Sequence, residues 1–67
     1  MDKNWVKIYA SGDFYRAEIV KQVLIDHQIE AVIMNKQDTS YKFGEVEVHI
    51  QEENTQKASE IISQNDL

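Results

Sequence analysis

The side chains able to do acid–base or metal chemistry in this sequence are two histidines, His27 and His49, and a run of glutamates, Glu45, Glu47, Glu52 and Glu53. A structural metal needs about four ligands in fixed geometry. Two histidines with no cysteine and no convergent carboxylate spacing do not supply them, so no metal and no other cofactor is expected. The histidines read as capping or surface groups. Paired carboxylates can act as general acid and base, but only in a pocket that drives their pKa values apart. Alternation along 45–50 puts Glu45 and Glu47 on an open strand face, and Glu52-Glu53 falls in a connection, so solvated carboxylates are expected. Ser11-Gly12-Asp13 precedes a helix, where free N–H groups can hold an anion. It has neither the G-x-G-x-x-G nor the Walker spacing, and Asp13 would repel a phosphate, so plain capping is expected. No nucleophile–base pair is visible, and the chain reads as no enzyme.

The elements that must carry these groups follow from periodicity. Trp5-Val6-Lys7-Ile8-Tyr9-Ala10 alternates as a strand, with Val6, Ile8 and Ala10 on one face and Trp5, Lys7 and Tyr9 on the other. Asp13 is the preferred N-cap of a helix from about 14 to 28. Its apolar arc holds Phe14, Ala17, Val20, Val23 and Leu24, with Ile19 and Ile25 on the two flanks. Residues 29–34 form a second strand with Ile29, Ala31 and Ile33 inward and Val32 and Met34 outward. A polar connection from Lys36 to Gly44 is longer than the 2–5 residues usual in a hairpin. Residues 45–50 alternate as a third strand, Val46, Val48 and Ile50 inward and Glu45, Glu47 and His49 outward. Asn54 is a candidate N-cap for a last helix with Ala58, Ile61 and Ile62 on its apolar face, and Asn65 to Leu67 should fray.

The order strand–helix–strand–strand–helix makes one α+β domain over 1–67. The first crossover makes its two strands parallel. Placing the third strand between them gives a split β-α-β sheet of order 1-3-2 with both helices on one face. The uncovered face then carries Trp5, Tyr9, Val32, Met34 and His49 among charged neighbours. Exposed Trp, Tyr and Met are typical of interfaces, although scattered exposed apolar groups are also normal on a small solvated sheet. The first strand is an edge, with backbone groups able to recruit a second subunit.

Composition narrows the partners. The chain has 67 residues and no cysteine, so disulfides cannot supplement a small core, and a homodimer or other homo-oligomer is the remaining device. Net charge is −5, and the bases are scattered rather than striped, which disfavours nucleic acid and anionic membranes. The longest apolar run is four residues, Ala31 to Met34, too short for a membrane span. The start Met1-Asp2-Lys3-Asn4-Trp5 does not have the form of a signal peptide, and a cytoplasmic protein is expected.

The ordered residues Ser11-x-Asp13, Ala17-Glu18-Ile19-Val20, Leu24, Ile29-Glu30-Ala31, Gly44 to Val48, Glu52-Glu53-Asn54, Ala58 and Ile61-Ile62 resemble the small prokaryotic family described as "putative signal transducing protein", a domain of unknown function. The resemblance spans nearly the whole chain. It implies a ferredoxin-like, PII-like half-domain of order 1-3-2 and no catalytic residues. Its signalling label rests on likeness of fold to the PII regulators, which is analogy. The chain departs from the family at Gln28, where a glycine usually ends the first helix. The resulting expectation is a non-catalytic binding or regulatory module working through contacts with another protein. The alternative is a sensor of a small ligand or nucleotide of PII type. In either case Lys36, Thr39, Tyr41, Lys42 and Phe43 would be contact residues of the 36–44 loop, as PII-like proteins use the loop between the same two strands. Tyr41 and Phe43 could equally fold back on the core edge.

Overall fold

The computed structural model describes residues 4–37 and 44–67. Its elements are β1 (Trp5–Ser11), α1 (Phe14–Asp26), β2 (Ala31–Asn35), β3 (Val46–Gln51), a 3-10 turn (Glu52–Asn54) and α2 (Thr55–Gln64). The sheet order is β1-β3-β2, with β3 antiparallel to both neighbours, the order expected from the sequence and the ferredoxin-like α+β arrangement that the family resemblance implies. β3 is the best strand because it is central. Val46, Val48 and Ile50 are fully buried and form one cluster with Ala17, Val20 and Leu24 of α1 and Ala58 and Ile61 of α2.

Helix α1 begins where Asp13 caps it: the Tyr15 N–H donates to Asp13 Oδ1 at 2.9 Å. A side-chain cap of this kind contributes about 1 kcal/mol. In α2 the capping position is Asn54, but its side chain makes no capping hydrogen bond. The preceding 3-10 turn leads the chain in, and Thr55 Oγ1 donates to the Glu52 carbonyl at 2.7 Å.

Helix α1 ends in a Schellman motif. Gln28 N–H donates to the Ile25 carbonyl at 2.8 Å and Ile29 N–H to the Leu24 carbonyl at 2.9 Å. The first of these two positions needs a left-handed backbone, and Gln28 takes it at φ 66. A side chain there costs roughly 1 kcal/mol relative to glycine. The motif buries Ile29 to 2 % exposure ahead of the strand, so β2 begins at Ala31 rather than at Ile29. Gln28→Gly is therefore expected to stabilise the fold by about 0.5–1 kcal/mol, raising Tm by roughly 3–6 °C for a chain of this size. Thermal melts of the two proteins check it.

A second Schellman motif ends α2. Asp66 sits at φ 59, and Leu67 N–H donates to the Ile62 carbonyl at 3.1 Å. The last residues thus do not fray, since Leu67 packs against the core.

The main departure from simple alternation is in β1. Trp5, Val6 and Lys7 lie opposite Gln51, Ile50 and His49, but Tyr9, Ala10 and Ser11 lie opposite Val48, Glu47 and Val46. Ile8 is the extra residue of a β-bulge. Beyond it every side chain changes face. Tyr9, expected on the open face, instead packs with Val6 and Ile8 against the core beneath the helices. Ala10, expected inside, lies on the open face beside Glu47. The driving force is area: unbroken alternation would bury Ile8 and a methyl, whereas the bulge buries Ile8 and an aromatic ring.

Candidate interaction surface

The sheet face without helices is built in cross-strand rows. One row is Lys7, His49 and Val32; the next is Ala10, Glu47 and Met34; Trp5 and Gln51 form a third, shorter row. Polar groups therefore occupy the central strand, apolar groups line β2, and Trp5 stands at the start of β1. Trp5, Val32 and Met34 are each about two-fifths exposed.

Glu47 is the hub of this face. It lies on the open side yet its side chain is only 13 % exposed, because Lys7, Lys36 and His49 surround it. His49 Nε2–H donates to Glu47 Oε1 at 2.9 Å, Lys36 Nζ stands 3.3 Å from the same oxygen, and Lys7 Nζ stands 3.9 Å from Oε2. The His49 hydrogen bond, then Lys36 and Lys7, hold its carboxyl below the ordinary glutamate range, against an opposing effect of desolvation. The alternation of 45–50 suggested a solvated carboxylate; β3's central place and the cross-strand lysines cover it instead.

A carboxyl whose pKa is lower folded than unfolded stabilises the fold above the unfolded value. That contribution is lost as pH falls from about 4.3, the ordinary glutamate value, through the folded one. Glu47→Gln is expected to flatten the acid limb of a plot of stability against pH below about 4.3. Urea melts from pH 2 to 7 on both proteins read this out, and superimposable acid limbs would contradict it.

Of the residues expected at a contact surface, Trp5, Val32, Met34 and His49 share this face, and Tyr9 does not. His49 is there to hold Glu47 and is largely covered, at 14 % side-chain exposure. Lys36 is anchored to Glu47 rather than projecting from a loop. Its N–H donates to the Glu45 carbonyl at 3.1 Å, extending the β2–β3 ladder. Gly44, at φ 92, is required there, since a Cβ would collide with the Lys36 carbonyl. Thr39, Tyr41, Lys42 and Phe43 lie outside the described residues. Sequence reasoning passed over Glu47 and Lys7 as site residues, although placing a Glu on the central strand with Lys and His on its own face was a usable signal.

The other candidate groups are dispersed. His27 Nδ1–H donates to the Val23 carbonyl at 2.9 Å, a helix C-terminal cap. Ser11 Oγ accepts the Asp13 N–H at 3.0 Å, and Gln37 Nε2 donates to the Gly12 carbonyl at 2.7 Å, tying the exit of β2 to the start of α1. Among the described residues no three His, Asp or Glu side chains converge on a point able to hold a metal ion. No helix among them is long and apolar enough to cross a membrane. An open cleft of about 240 Å³ lies between the helices, lined by Tyr9, Arg16, Ile19, Val20, Asp66 and Leu67.

No curated protein and no solved structure matches this chain. Residues 5–66, a span that contains both helices and all three strands, match the model of one family, and the chain belongs to that family, described as "Putative prokaryotic signal transducing protein".

Proposed function

We propose that this protein is a non-catalytic binding module that transmits a signal through contact with another protein, and that the open sheet face is the contact surface. The observation that carries this is the pairing of exposed Val32, Met34 and Trp5 with a charge cluster gathered around the covered Glu47 carboxylate. Apolar side chains on a sheet supply desolvation energy, and a patterned set of charges beside them supplies register. The family's signalling description is in keeping with this reading.

The test is affinity capture from a lysate of the source cells, comparing the native chain with Val32→Thr/Met34→Gln. At least one captured protein should drop about tenfold, the change expected for loss of an apolar anchor. Unchanged capture by a folded double variant would reject the surface.

A second reading, sensing of a small ligand or nucleotide, has one observation in its favour. The interhelical cleft offers Arg16 beside apolar and aromatic walls, although Asp66 also lines it and neither Lys36 nor Gly44 does. A thermal-shift screen against nucleotides and small anions, repeated on Arg16→Gln, separates the two readings.

A further inference from the structure

The two edges of the sheet are built differently. β1 carries the bulge at Ile8, which disrupts the regular row of backbone groups a new strand would need. β2 has an unbroken register with β3 over Ala31–Asn35, an uncharged sequence, and no strand on its outer side among the described residues. It has none of the usual defences of an edge, such as a lysine, a proline or a bulge.

Helix α1 presents a matching stripe above that edge. Its Arg16–Ile19 flank faces the cleft toward the end of α2. On a helical wheel the opposite flank carries Phe14, Glu18, Lys21 and Ile25, so this stripe lies on the β2 side. Phe14 and Ile25 are 43 % and 42 % exposed, and Glu18 and Lys21 pair within the chain at 3.8 Å. The order apolar, acid, base, apolar is self-complementary. Residues 14 and 25 are equidistant from the midpoint between 19 and 20, and so are 18 and 21. An antiparallel copy of the same helix therefore sets Phe14 against the partner's Ile25 and Glu18 against the partner's Lys21.

The strand has the same property about Ile33, with Val32 and Met34 on either side. Both midpoints fall between the same two contacts that join the helix to the strand. α1 runs opposite to β2, with the Gln37–Gly12 contact near one end and the Ile29–Leu24 hydrogen bond near the other. A single two-fold axis normal to the sheet can thus pass just outside β2 at the level of Ile33, between the two copies, and beside the middle of α1. Isologous interfaces are self-complementary in this way.

We infer that a second copy of this chain docks along β2, antiparallel and centred on Ile33, giving a six-stranded sheet with the two α1 helices side by side. Val32 and Met34 of both copies then form one apolar patch at the centre of the open face. The inference does not depend on the proposed contact with another protein, since its occupant is the chain itself.

Sedimentation velocity on the full chain, up to about 1 mM, the weak limit of specific association, tests it. Native protein should dimerise reversibly. Glu18→Lys alone, or Lys21→Glu alone, puts like charges together twice across the axis and should raise Kd about tenfold. Mixing the two single variants should restore dimers as heterodimers, because each then opposes the other's charge. The intrachain pair stays broken in both proteins, so an effect confined to helix stability would show no rescue. In this cysteine-free chain Ile33→Cys should also cross-link to itself under mild oxidation, and Trp5→Cys should not. A native chain that stays monomeric throughout, or single variants without rescue on mixing, would overturn the inference. In the first case the β2 edge would be left for a different polypeptide.

Discussion

Leu24→Ala is expected to leave the chain largely unfolded at 25 °C. Leu24 is fully buried, and it is the side chain on which α1, the Schellman turn and the sheet meet. Its carbonyl also accepts the Ile29 N–H that closes the turn. Truncating a buried leucine costs about 2–5 kcal/mol, depending on how far the cavity collapses. A domain of this size has on the order of 3–5 kcal/mol in total. No disulfide offsets the loss, because the chain has no cysteine. Far-ultraviolet circular dichroism and urea melts decide the matter. Leu24→Met, which preserves volume, should lose less than about 1.5 kcal/mol and melt cooperatively. A cooperative melt for Leu24→Ala close to the native midpoint would mean that α1 is not the keystone of the core. Melts at two protein concentrations separate the intrinsic loss from any stabilisation by dimerisation, which follows mass action.

Tyr9→Ala is expected to destabilise by about 2–3 kcal/mol, somewhat less than the 3–5 of a wholly buried aromatic ring. Tyr9 packs on the core and walls the interhelical cleft beside Leu67. Ala10→Lys is expected to change stability by less than about 0.5–1 kcal/mol, since Ala10 lies on the open face opposite Glu47. For a chain of this length the first change corresponds to a fall in Tm of at least roughly 10 °C and the second to less than about 5 °C. The pair of variants reads the bulge directly. Were β1 to alternate without it, Ala10 would lie under the helices, where a lysine is costly, and Tyr9 would be free on the surface. The ranking of the two melts would then be inverted. A combined reading at one pH near 7 keeps the Glu47 carboxylate ionised in both variants, so that the acid limb does not enter the comparison.

Element order was legible in the sequence because it rests on local periodicity, and strand order because a crossover makes β1 and β2 parallel and leaves room for β3 between them. Val46, Val48 and Ile50 alternate without interruption, and that pattern has one solution, a strand buried on one face. The cap at Asp13 was legible because its carboxylate reaches an N–H only two residues away. The open face was readable at Trp5, Val32, Met34 and His49, whose positions follow from alternation counted from the strand centres. It was misread at Tyr9 because a bulge leaves no local mark in a strand rich in β-branched and aromatic residues; the extra residue is settled by what lies opposite, Val48.

The ends of the helices show the same division. Gln28 breaks the rule that favours glycine at a left-handed position, yet Ile29 must be buried and the Leu24 and Ile25 carbonyls must be satisfied, and those needs together outweigh roughly 1 kcal/mol of backbone strain. Leu67 is ordered for a related reason: its side chain gains the core once the Ile62 carbonyl takes its N–H.

By itself, then, the sequence determined the ferredoxin-like order of elements, the identity of the core and most of one exposed face, because periodicity and capping act within a few residues. The tertiary structure alone decided which side of β1 Tyr9 occupies, how Glu47 is covered by Lys7, Lys36 and His49, and that β2 is the unguarded edge. Those outcomes depend on cross-strand register, and register is set by the free energy of the whole packed sheet rather than by any one segment of chain.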